Sequence, residues 1–422
     1  MNIFFLLLAL FSFFNNKISC IIQKKGKSSK NVSFLHDVIG DPYCYCTTLF
    51  LGKEKASQTF ILDTASSLTT SPCDKCTSCS DEHHKFKLED ESQIIQCNSY
   101  KCKLLPYVMC QSNECSFTSS YEEGSMISGF YVNEDIYFQK IDSEMKITKT
   151  PYNLPIGCTT KEMHIFQLQE ADGVMGLNNN DKSFVNLLYK SNIIKKNIFS
   201  LCFSHEGGYF SIGKIVTTQH YYNIIKYVNL LNINDELYKD LYNIQLNYIQ
   251  IGDRKVQYNG TAFIDSGTTL TYFPSKIFRA IMRYYLKICK KCGKLRRLPN
   301  YGYCAEFKDE RELNEIVNEW KNIIIGLDGY DFIWEPHNFY LIYDHDEENG
   351  ANVCLGFEES VRNNILLGTT FMHNYDIIFD KEKERIGFVK ADCNGYKSST
   401  NILDEDNYNI EDKEKILNTN DL

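Results

Sequence analysis

The fold of this chain is indicated by two similar stretches of sequence, Phe60-Ile-Leu-Asp-Thr-Ala-Ser-Ser-Leu-Thr69 and Phe263-Ile-Asp-Ser-Gly-Thr-Thr-Leu-Thr271. Each contains the apolar end of a strand, an aspartate, a hydroxyl residue, a small residue and two further hydroxyl residues. Each is followed, just over a hundred residues later, by two apolar residues and a glycine, at Val174-Met175-Gly176 and Leu366-Leu367-Gly368. Two copies of one unit predict two lobes related by an approximate two-fold axis, at which the two aspartates meet.

The residues around each aspartate are suited to holding a buried carboxylate. An aspartate at the end of an apolar strand is costly unless its oxygens accept hydrogen bonds. A small residue two positions later, Ala65 or Gly267, lets the chain turn sharply and brings a backbone N–H close to the carboxylate. Hydroxyl groups can then reach the outer carboxylate oxygens or bond across to the opposite loop. The candidates for these roles are Thr64, Ser66, Ser266 and Thr268.

The paired aspartates predict an acid–base reaction. Two carboxylates held close together cannot both ionise, so they share one proton. The ionised member can take a proton from a water molecule while the protonated member donates to a carbonyl oxygen, so neither a metal nor another cofactor is needed. A single aspartate of this kind is as readily a turn residue. The matched motifs favour Asp63 and Asp265 as a catalytic pair.

From about His36 to Cys393 the chain resembles the pepsin-type aspartic proteases. The two aspartate boxes are similar to the active-site loops of that family, and Tyr121-Glu-Glu-Gly-Ser125 is similar to its flap, a hairpin that closes over the substrate. The resemblance implies an all-β, bilobed fold with pseudo-two-fold symmetry and a few short helices. It also implies that Tyr121 shields the cleft and supports the water, and that Gly267 lies at the substrate.

Seven cysteines between the first box and the flap narrow the resemblance to the nepenthesin and plasmepsin V subgroups. The segments concerned are Ser120–Ser125 with Gly129–Tyr131, Ile156–Cys158, Ala171–Gly176 and Leu367–Phe371. This resemblance implies cleavage of secretory proteins at a short motif with a basic residue and a leucine. Glu123 on the flap is then the candidate partner of a substrate arginine, with Gln169 or Glu170 as a second.

The chain departs from the family pattern at three places. Ala65 stands where the family has glycine, which would strain the turn if a positive φ were required. Glu122 stands where plasmepsin V has a flap cysteine, and the polar, acidic stretch 396–422 predicts no transmembrane anchor. An inactive, peptide-binding homologue is the alternative that Ala65 favours, and a general digestive protease is the alternative within the enzymes.

The residues outside the two boxes predict the secondary structure and the domain organisation. Short runs rich in β-branched and aromatic residues predict strands, and helices are predicted at Ser183–Lys190, Ser275–Lys287 and Glu310–Lys321. We expect five segments: a signal peptide at 1–20, a short pro-segment or flexible N-terminus at 21–34, an N-terminal catalytic lobe at 35–215, a C-terminal catalytic lobe at 216–395 and an acidic disordered tail at 396–422. An uncleaved signal anchor is the competing interpretation of the first segment.

Charge and cysteine content indicate the compartment and the partners. The net charge of −9 argues against a nucleic-acid partner and leaves polypeptide substrates and a monomeric protein as the expectation. Of 17 cysteines, 16 remain without Cys20, and a secreted or endoplasmic-reticulum chain pairs its thiols. Two sequons, at Asn31 and Asn259, are compatible with glycosylation in that compartment.

The cysteines are expected in disulfides, and the members we single out are Cys73, Cys76, Cys79, Cys97, Cys102, Cys110, Cys115, Cys304 and Cys354. By spacing alone, Cys73, Cys76 and Cys79 with His83 and His84 could also bind zinc. Eleven mature cysteines precede the second box and five follow it, so complete pairing requires a bridge between the lobes. Within the second lobe we expect Cys304 to pair with Cys354.

Overall fold

The computed structural model of the chain describes residues 32–41, 44–121, 124–139, 147–287, 294–298, 302–346 and 350–394. The segment predicted as a signal peptide, the tail at 396–422 and the cysteines at 289 and 292 lie outside the described residues. Within these ranges, the helices are all too short or too polar to cross a bilayer.

The described chain is mainly β-structure, as the sequence predicts. The strands of the first half are β1 (Phe34–Asp41), β2 (Cys44–Leu51), β3 (Ala56–Asp63), β4 (Thr70–Pro72), β5 (Val108–Gln111), β6 (Glu114–Ser120), β7 (Met126–Tyr137), β8 (Tyr152–Met163), β9 (Gly173–Gly176), β10 (Ile198–Ser204), β11 (Gly207–Ile212) and β12 (Lys226–Asn229). Those of the second half are β13 (Tyr242–Ile251), β14 (Arg254–Ile264), β15 (Thr271–Pro274), β16 (Arg296–Leu298), β17 (Gly302–Phe307), β18 (Ile323–Leu327), β19 (Tyr330–Trp334), β20 (Tyr340–Asp346), β21 (Gly350–Leu355), β22 (Phe357–Ser360), β23 (Ile365–Leu367), β24 (Tyr375–Asp380) and β25 (Arg385–Lys390).

Helices are few and short. The α-helices of the described residues are α1 (Tyr100–Lys103), α2 (Phe184–Lys190), α3 (Ser275–Lys287), α4 (Glu310–Glu319) and α5 (Thr369–Met372). Three of them match the predicted helices, although α4 ends two residues earlier than expected. Trp320 leaves the helix with extended backbone angles, φ −69° and ψ 152°, and its ring stacks on that of Phe339 with centroids 6.0 Å apart. Tertiary packing of the indole therefore ends the helix before Lys321.

The described strands form three sheets, which give the bilobed architecture. The largest has fourteen strands in the order β12-β25-β24-β10-β11-β1-β2-β3-β9-β4-β8-β7-β6-β5. A seven-stranded sheet, β19-β18-β13-β14-β23-β15-β22, and a four-stranded sheet, β16-β17-β21-β20, come from the second half. The last strands of the chain, β24 and β25, nevertheless belong to the largest sheet, because β24 pairs with β10.

The strand that leads into each aspartate box pairs with a parallel neighbouring strand in the same way. β3 is parallel to β9, with Asp63 opposite Gly176, and β14 is parallel to β23, with Ile264 opposite Leu367. The glycine after each pair of apolar residues is required by space: a Cβ on Gly176 would lie 2.3 Å from a backbone carbon of the first box, and one on Gly368 would lie 2.3 Å from the Leu270 carbonyl oxygen. The glycine of each apolar-apolar-Gly repeat therefore packs directly against the backbone of its box.

Disulfide bonds cross-link cysteines within each half of the chain and between the two halves. Six pairs join described cysteines: Cys73–Cys158, Cys76–Cys79, Cys97–Cys110, Cys102–Cys115, Cys202–Cys393 and Cys304–Cys354. The Cys202–Cys393 pair is a bridge between the two halves, of the kind that the cysteine count requires. Because Cys73, Cys76 and Cys79 all lie in disulfides, they do not form the zinc site that their spacing also allowed.

Candidate active site

The two aspartates of the repeat lie together at the ends of their strands. Asp63 is the last residue of β3 and Asp265 follows β14 directly, and each is only 7% exposed. A Cβ atom placed on Gly267 would lie 2.7 Å from Asp63 Oδ1 and 3.3 Å from Asp265 Oδ1. Both carboxylates therefore face one small volume, which is the arrangement that the repeat predicts.

Backbone and hydroxyl donors hold each carboxylate. The Ala65 N–H donates to Asp63 Oδ1 at 2.8 Å, and the Gly267 N–H donates to Asp265 Oδ1 at 2.9 Å. The Thr268 hydroxyl donates to Asp265 Oδ2 at 2.7 Å. Hydrogen bonds of this kind favour the ionised form of a carboxylate and fix the direction of its oxygens.

The two boxes are joined by a reciprocal set of hydrogen bonds. The Thr64 N–H donates to Ser266 Oγ at 3.0 Å, and the Ser266 N–H donates to Thr64 Oγ1 at 2.9 Å. Each hydroxyl also donates to the strand of the opposite box, Thr64 to the Ile264 carbonyl at 3.1 Å and Ser266 to the Leu62 carbonyl at 2.6 Å. The structure thus brings these two predicted residues together across the chain halves.

Ser66 departs from its predicted contact. We expected its hydroxyl to reach the outer oxygen of Asp63, as Thr268 reaches Asp265, but the buried Ser66 Oγ forms no hydrogen bond with that carboxylate. The hydroxyl lies beside that of Tyr121 instead. The two boxes are therefore unequal in the support that they give to their aspartates.

Ala65 does not carry the backbone strain that a methyl group could cause. A left-handed φ favours glycine, but neither Ala65 nor Gly267 has one. The requirement at this position is space, since a Cβ on Gly267 would approach Asp63 Oδ1 more closely than any real Cβ contact. At residue 65 the structure accommodates the methyl group, and the Ala65 N–H still donates to Asp63 Oδ1.

The predicted flap is the hairpin between β6 and β7. Its turn is closed by the Tyr121 N–H donating to the Ser125 carbonyl at 2.9 Å and by the Gly124 N–H donating to the Tyr121 carbonyl at 3.0 Å. The Tyr121 ring packs edge-on against Phe166, with centroids 4.9 Å apart. Burial, and then the charge of Asp63, raise the pKa of the Tyr121 phenol, so this side chain stands close to the aspartates.

The predicted specificity residues are only partly described. Glu123 lies outside the described residues. The Gln169 side chain donates to the Ala171 carbonyl at 2.9 Å, so its amide is already engaged within its own loop. Glu170 is exposed, and of these two neighbours it is the one available to a basic ligand.

Two threonines and an asparagine complete the site and were not singled out from the sequence. Thr69 Oγ1 accepts from the Gly176 N–H at 3.2 Å, and Thr271 Oγ1 accepts from the Gly368 N–H at 3.3 Å. The shared Leu-Thr ending of the two boxes is a signal that could have identified them. Asn178 donates its N–H to the Ser66 carbonyl at 3.0 Å, a contact for which the sequence carries no signal.

Within the described ranges, no three histidine, cysteine, aspartate or glutamate side chains are arranged to hold a metal ion. His83, one of the residues considered for zinc, instead contacts the Glu162 carboxylate through Nδ1 at 3.1 Å. The cysteine-rich segment is thus held by disulfides and by this buried histidine–glutamate pair.

Comparison with known proteins identifies two family models that match consecutive parts of the chain. The model described as xylanase inhibitor N-terminal matches residues 45–214, and the one described as xylanase inhibitor C-terminal matches residues 241–390. Together they cover both aspartate boxes.

Two named proteases and one solved structure are similar to this chain over most of its length. Plasmepsin V of Plasmodium falciparum is 27% identical over 84% of this chain and 71% of its own length. Aspartic proteinase nepenthesin-1 of Nepenthes gracilis is 21% identical over 83% of this chain and 78% of its own length. The crystal structure of conglutin gamma from lupine seeds is similar in fold, with a TM-score of 0.66 at 18% identity, covering 85% of this chain and 95% of that chain.

Proposed function

The chain belongs to the pepsin-like aspartic protease family, and from that membership we propose that it is an endopeptidase whose water is activated between Asp63 and Asp265. Membership alone does not distinguish an enzyme from a binding protein, since both matching models are described as xylanase inhibitors. The observation that carries the proposal is the convergence of two buried carboxylates on one volume. A peptide-binding protein has no need of that arrangement.

The reaction follows from the shared proton. The ionised aspartate takes a proton from water as the water oxygen bonds to the scissile carbonyl carbon, while the protonated aspartate gives its proton to the carbonyl oxygen. The resulting diol collapses when the aspartate that took the proton from water passes it to the leaving nitrogen. The other aspartate recovers a proton from a diol hydroxyl as the C–N bond breaks. The two apparent pKa values of such a pair belong to the pair as a whole, so neither residue is assigned as the base.

The substrate class is proposed from resemblance and from the compartment. The similarity to plasmepsin V suggests processing of secretory or exported proteins at a motif with a basic residue and a leucine. Six disulfides suit an oxidising compartment, and we place the protein in the endoplasmic-reticulum lumen or among secreted proteins. Glu123 and Glu170 are the proposed partners of the basic side chain, because a carboxylate binds a guanidinium strongly in a closed cleft.

Buried histidines favour a near-neutral compartment over the acidic one of a digestive protease. Burial lowers the pKa of His36 to about 4 and that of His373 to about 3, so both are neutral in the folded protein. The unfolded chain binds these protons below about pH 6.5, and acid therefore favours unfolding. His83 acts in the opposite direction: although burial lowers its pKa, hydrogen bonds to Glu162 and to the Gln169 carbonyl raise it overall.

The proposal is tested by assaying the mature, oxidised chain on a fluorogenic peptide library with and without pepstatin, from about pH 4 to about pH 8. Asp63→Asn and Asp265→Asn serve as controls. We expect pepstatin-sensitive cleavage by the wild type only, with an optimum near neutral pH. Equal silence of all three proteins would overturn the endopeptidase proposal in favour of a binding protein. An optimum near pH 4 would favour the digestive alternative.

Substrate choice is tested separately with Glu123→Ala and Glu170→Ala. For each variant we expect KM to rise far more for arginine-containing peptides than for matched peptides without arginine. Gln169→Ala is the matched control, because its amide is engaged with Ala171. An equal effect on both classes of peptide would remove these carboxylates from the specificity site.

A further inference from the structure

Lys381 reaches from the second half of the chain into the loop beneath Asp63. It begins the turn between β24 and β25, and its amine donates to the Asn178 carbonyl at 2.8 Å, the Asn180 carbonyl at 3.3 Å and the Ser183 hydroxyl at 3.2 Å. An ammonium group has three N–H donors, and here each donor has a neutral oxygen acceptor. The protonated side chain is therefore fully satisfied at this place.

The loop that Lys381 holds is bonded directly to the first aspartate box. The Leu177 N–H donates to the Asp63 carbonyl at 2.8 Å, and the Asn178 N–H donates to the Ser66 carbonyl at 3.0 Å. Asn178 Oδ1 also accepts from the Ser67 hydroxyl at 3.0 Å. A displacement of Asn178 would therefore be passed on to the backbone that carries Asp63.

The carboxylates around Lys381 form hydrogen bonds with residues other than Lys381. On the neighbouring loop, the Asp181 carboxylate bonds to Lys190 at 2.7 Å, and Asp240 accepts from the Asn180 amide at 2.9 Å. On its own turn, Asp380 is bonded to Arg385 and Glu382 to the backbone of Asn197. Burial outweighs the attraction of Asp181 and Asp240, and it lowers the pKa of the Lys381 amine to about 7.

We propose that Lys381 is a positioning residue for Asp63, whose ammonium form fixes the loop 178–183 and whose neutral form loosens it. The neutral amine has two donors and a lone pair, so the Ser183 hydroxyl must turn to donate to the lone pair. The hydrogen bonds to the Asn178 and Asn180 carbonyls then lose the strength that the positive charge gave them. The inference rests on the proposed endopeptidase function. It predicts that activity falls above neutral pH through a side chain outside the catalytic pair.

The experiment compares Lys381→Met, Lys381→Arg and the exposed control Lys276→Met with the wild type. Lys381→Met keeps the apolar stem but removes all three donors, and we expect kcat to fall roughly tenfold or more with KM little changed, because a small misplacement of a catalytic group is costly. Lys381→Arg retains its charge at every accessible pH, and we expect its activity to persist above pH 7, where we expect the wild type to decline. Lys276→Met should match the wild type.

A second measurement does not depend on activity. Hydrogen exchange of the peptide covering residues 174–183, compared between proteins at equal pH, should show faster exchange in Lys381→Met than in the wild type. Unchanged exchange in Lys381→Met, or the same alkaline decline in Lys381→Arg and wild type, would overturn the proposal. If the methionine variant does not fold, the arginine variant still decides it. A wild type that is inactive at every pH would refute the endopeptidase function, while the exchange comparison would still test the contact.

Discussion

Thr64 and Ser266 bond to each other twice, backbone N–H to side-chain oxygen in each direction, at 3.0 Å and 2.9 Å. Both hydroxyls donate onward to a strand carbonyl of the opposite box. Neither hydroxyl therefore has a free hydrogen, and the rotation of each is fixed. Since the two residues adjoin Asp63 and Asp265, the separation of the catalytic carboxylates depends on this exchange.

We expect Thr64→Val to separate those carboxylates. Valine has the shape of threonine but leaves the buried Ser266 N–H without its acceptor and removes the hydrogen bond to the Ile264 carbonyl, which costs about 1–3 kcal/mol. Urea unfolding should show this loss, and kcat should fall at least about tenfold. Thr47→Val is the matched control, because buried Thr47 donates only to the Asp37 carbonyl, away from the site. Equal kcat values for the two variants would contradict the assignment.

A methyl group at residue 267 should disable the pair. In Gly267→Ala the Cβ would approach Asp63 Oδ1 at 2.7 Å, so the carboxylate must move, and we expect kcat to fall about a hundredfold. The reverse change, Ala65→Gly, relieves no left-handed φ, so we expect kcat to stay close to that of the wild type, with a stability loss of about 0.5–1 kcal/mol. Steady-state kinetics on one peptide measures both. A harmless Gly267→Ala would show that the site tolerates the methyl.

Acid sensitivity should decrease when His36 is replaced by phenylalanine. The pKa of His36 is lowered to about 4, so between about pH 6.5 and pH 4 the unfolded chain binds a proton that the folded chain does not. Stability therefore falls as pH falls through that window, by about 2–3 kcal/mol at most for this group. His36→Phe, packed near Phe138 and Phe210, should reduce the fall by that amount in urea unfolding at both ends of the window.

The exposed Val361 provides the control for that measurement, because Val361→Phe introduces the same side chain without removing an imidazole. Val361→Phe should leave the dependence of unfolding free energy on pH as it is in the wild type. If His36→Phe gives the same slope as the control, the buried imidazole does not contribute to acid unfolding.

The long-range disulfide should stabilise the fold more than the short one. Cys202 and Cys393 are 191 residues apart, whereas Cys76 and Cys79 are three residues apart. Loop-closure entropy then predicts a loss of roughly 5 kcal/mol when both long-range cysteines become alanine, against roughly 1.5 kcal/mol for the short pair. Urea unfolding of the two double variants measures the difference. The reverse order would show that loop length does not govern these bridges.

The structural features that could be predicted from the sequence are those encoded in its repeated or regular patterns. The two boxes, the apolar-apolar-Gly segments that pair with them and the bilobed β-fold could be predicted because one unit occurs twice. Each copy supports the interpretation of the other. The helix Ser275–Lys287 has its predicted bounds, because a regular apolar stripe over 13 residues leaves little choice.

Contacts between distant residues could not be predicted. Lys381 and Asn178 are 203 residues apart, and neither lies in a repeated motif. Ser66 was expected to mirror Thr268, but the flap tyrosine has no described equivalent in the second half, and its hydroxyl lies beside that of Ser66. Side-chain direction at such a position depends on which elements pack against it, and the local pattern does not contain that information.

The place of β24 in the largest sheet has a consequence for synthesis. β10 pairs with β11 on one edge and with β24 on the other, and Cys202 on β10 bonds to Cys393. While the ribosome makes the intervening residues, the β10 edge is open to other strands and the Cys202 thiol has no native partner. The N-terminal half therefore cannot complete its own sheet during translation.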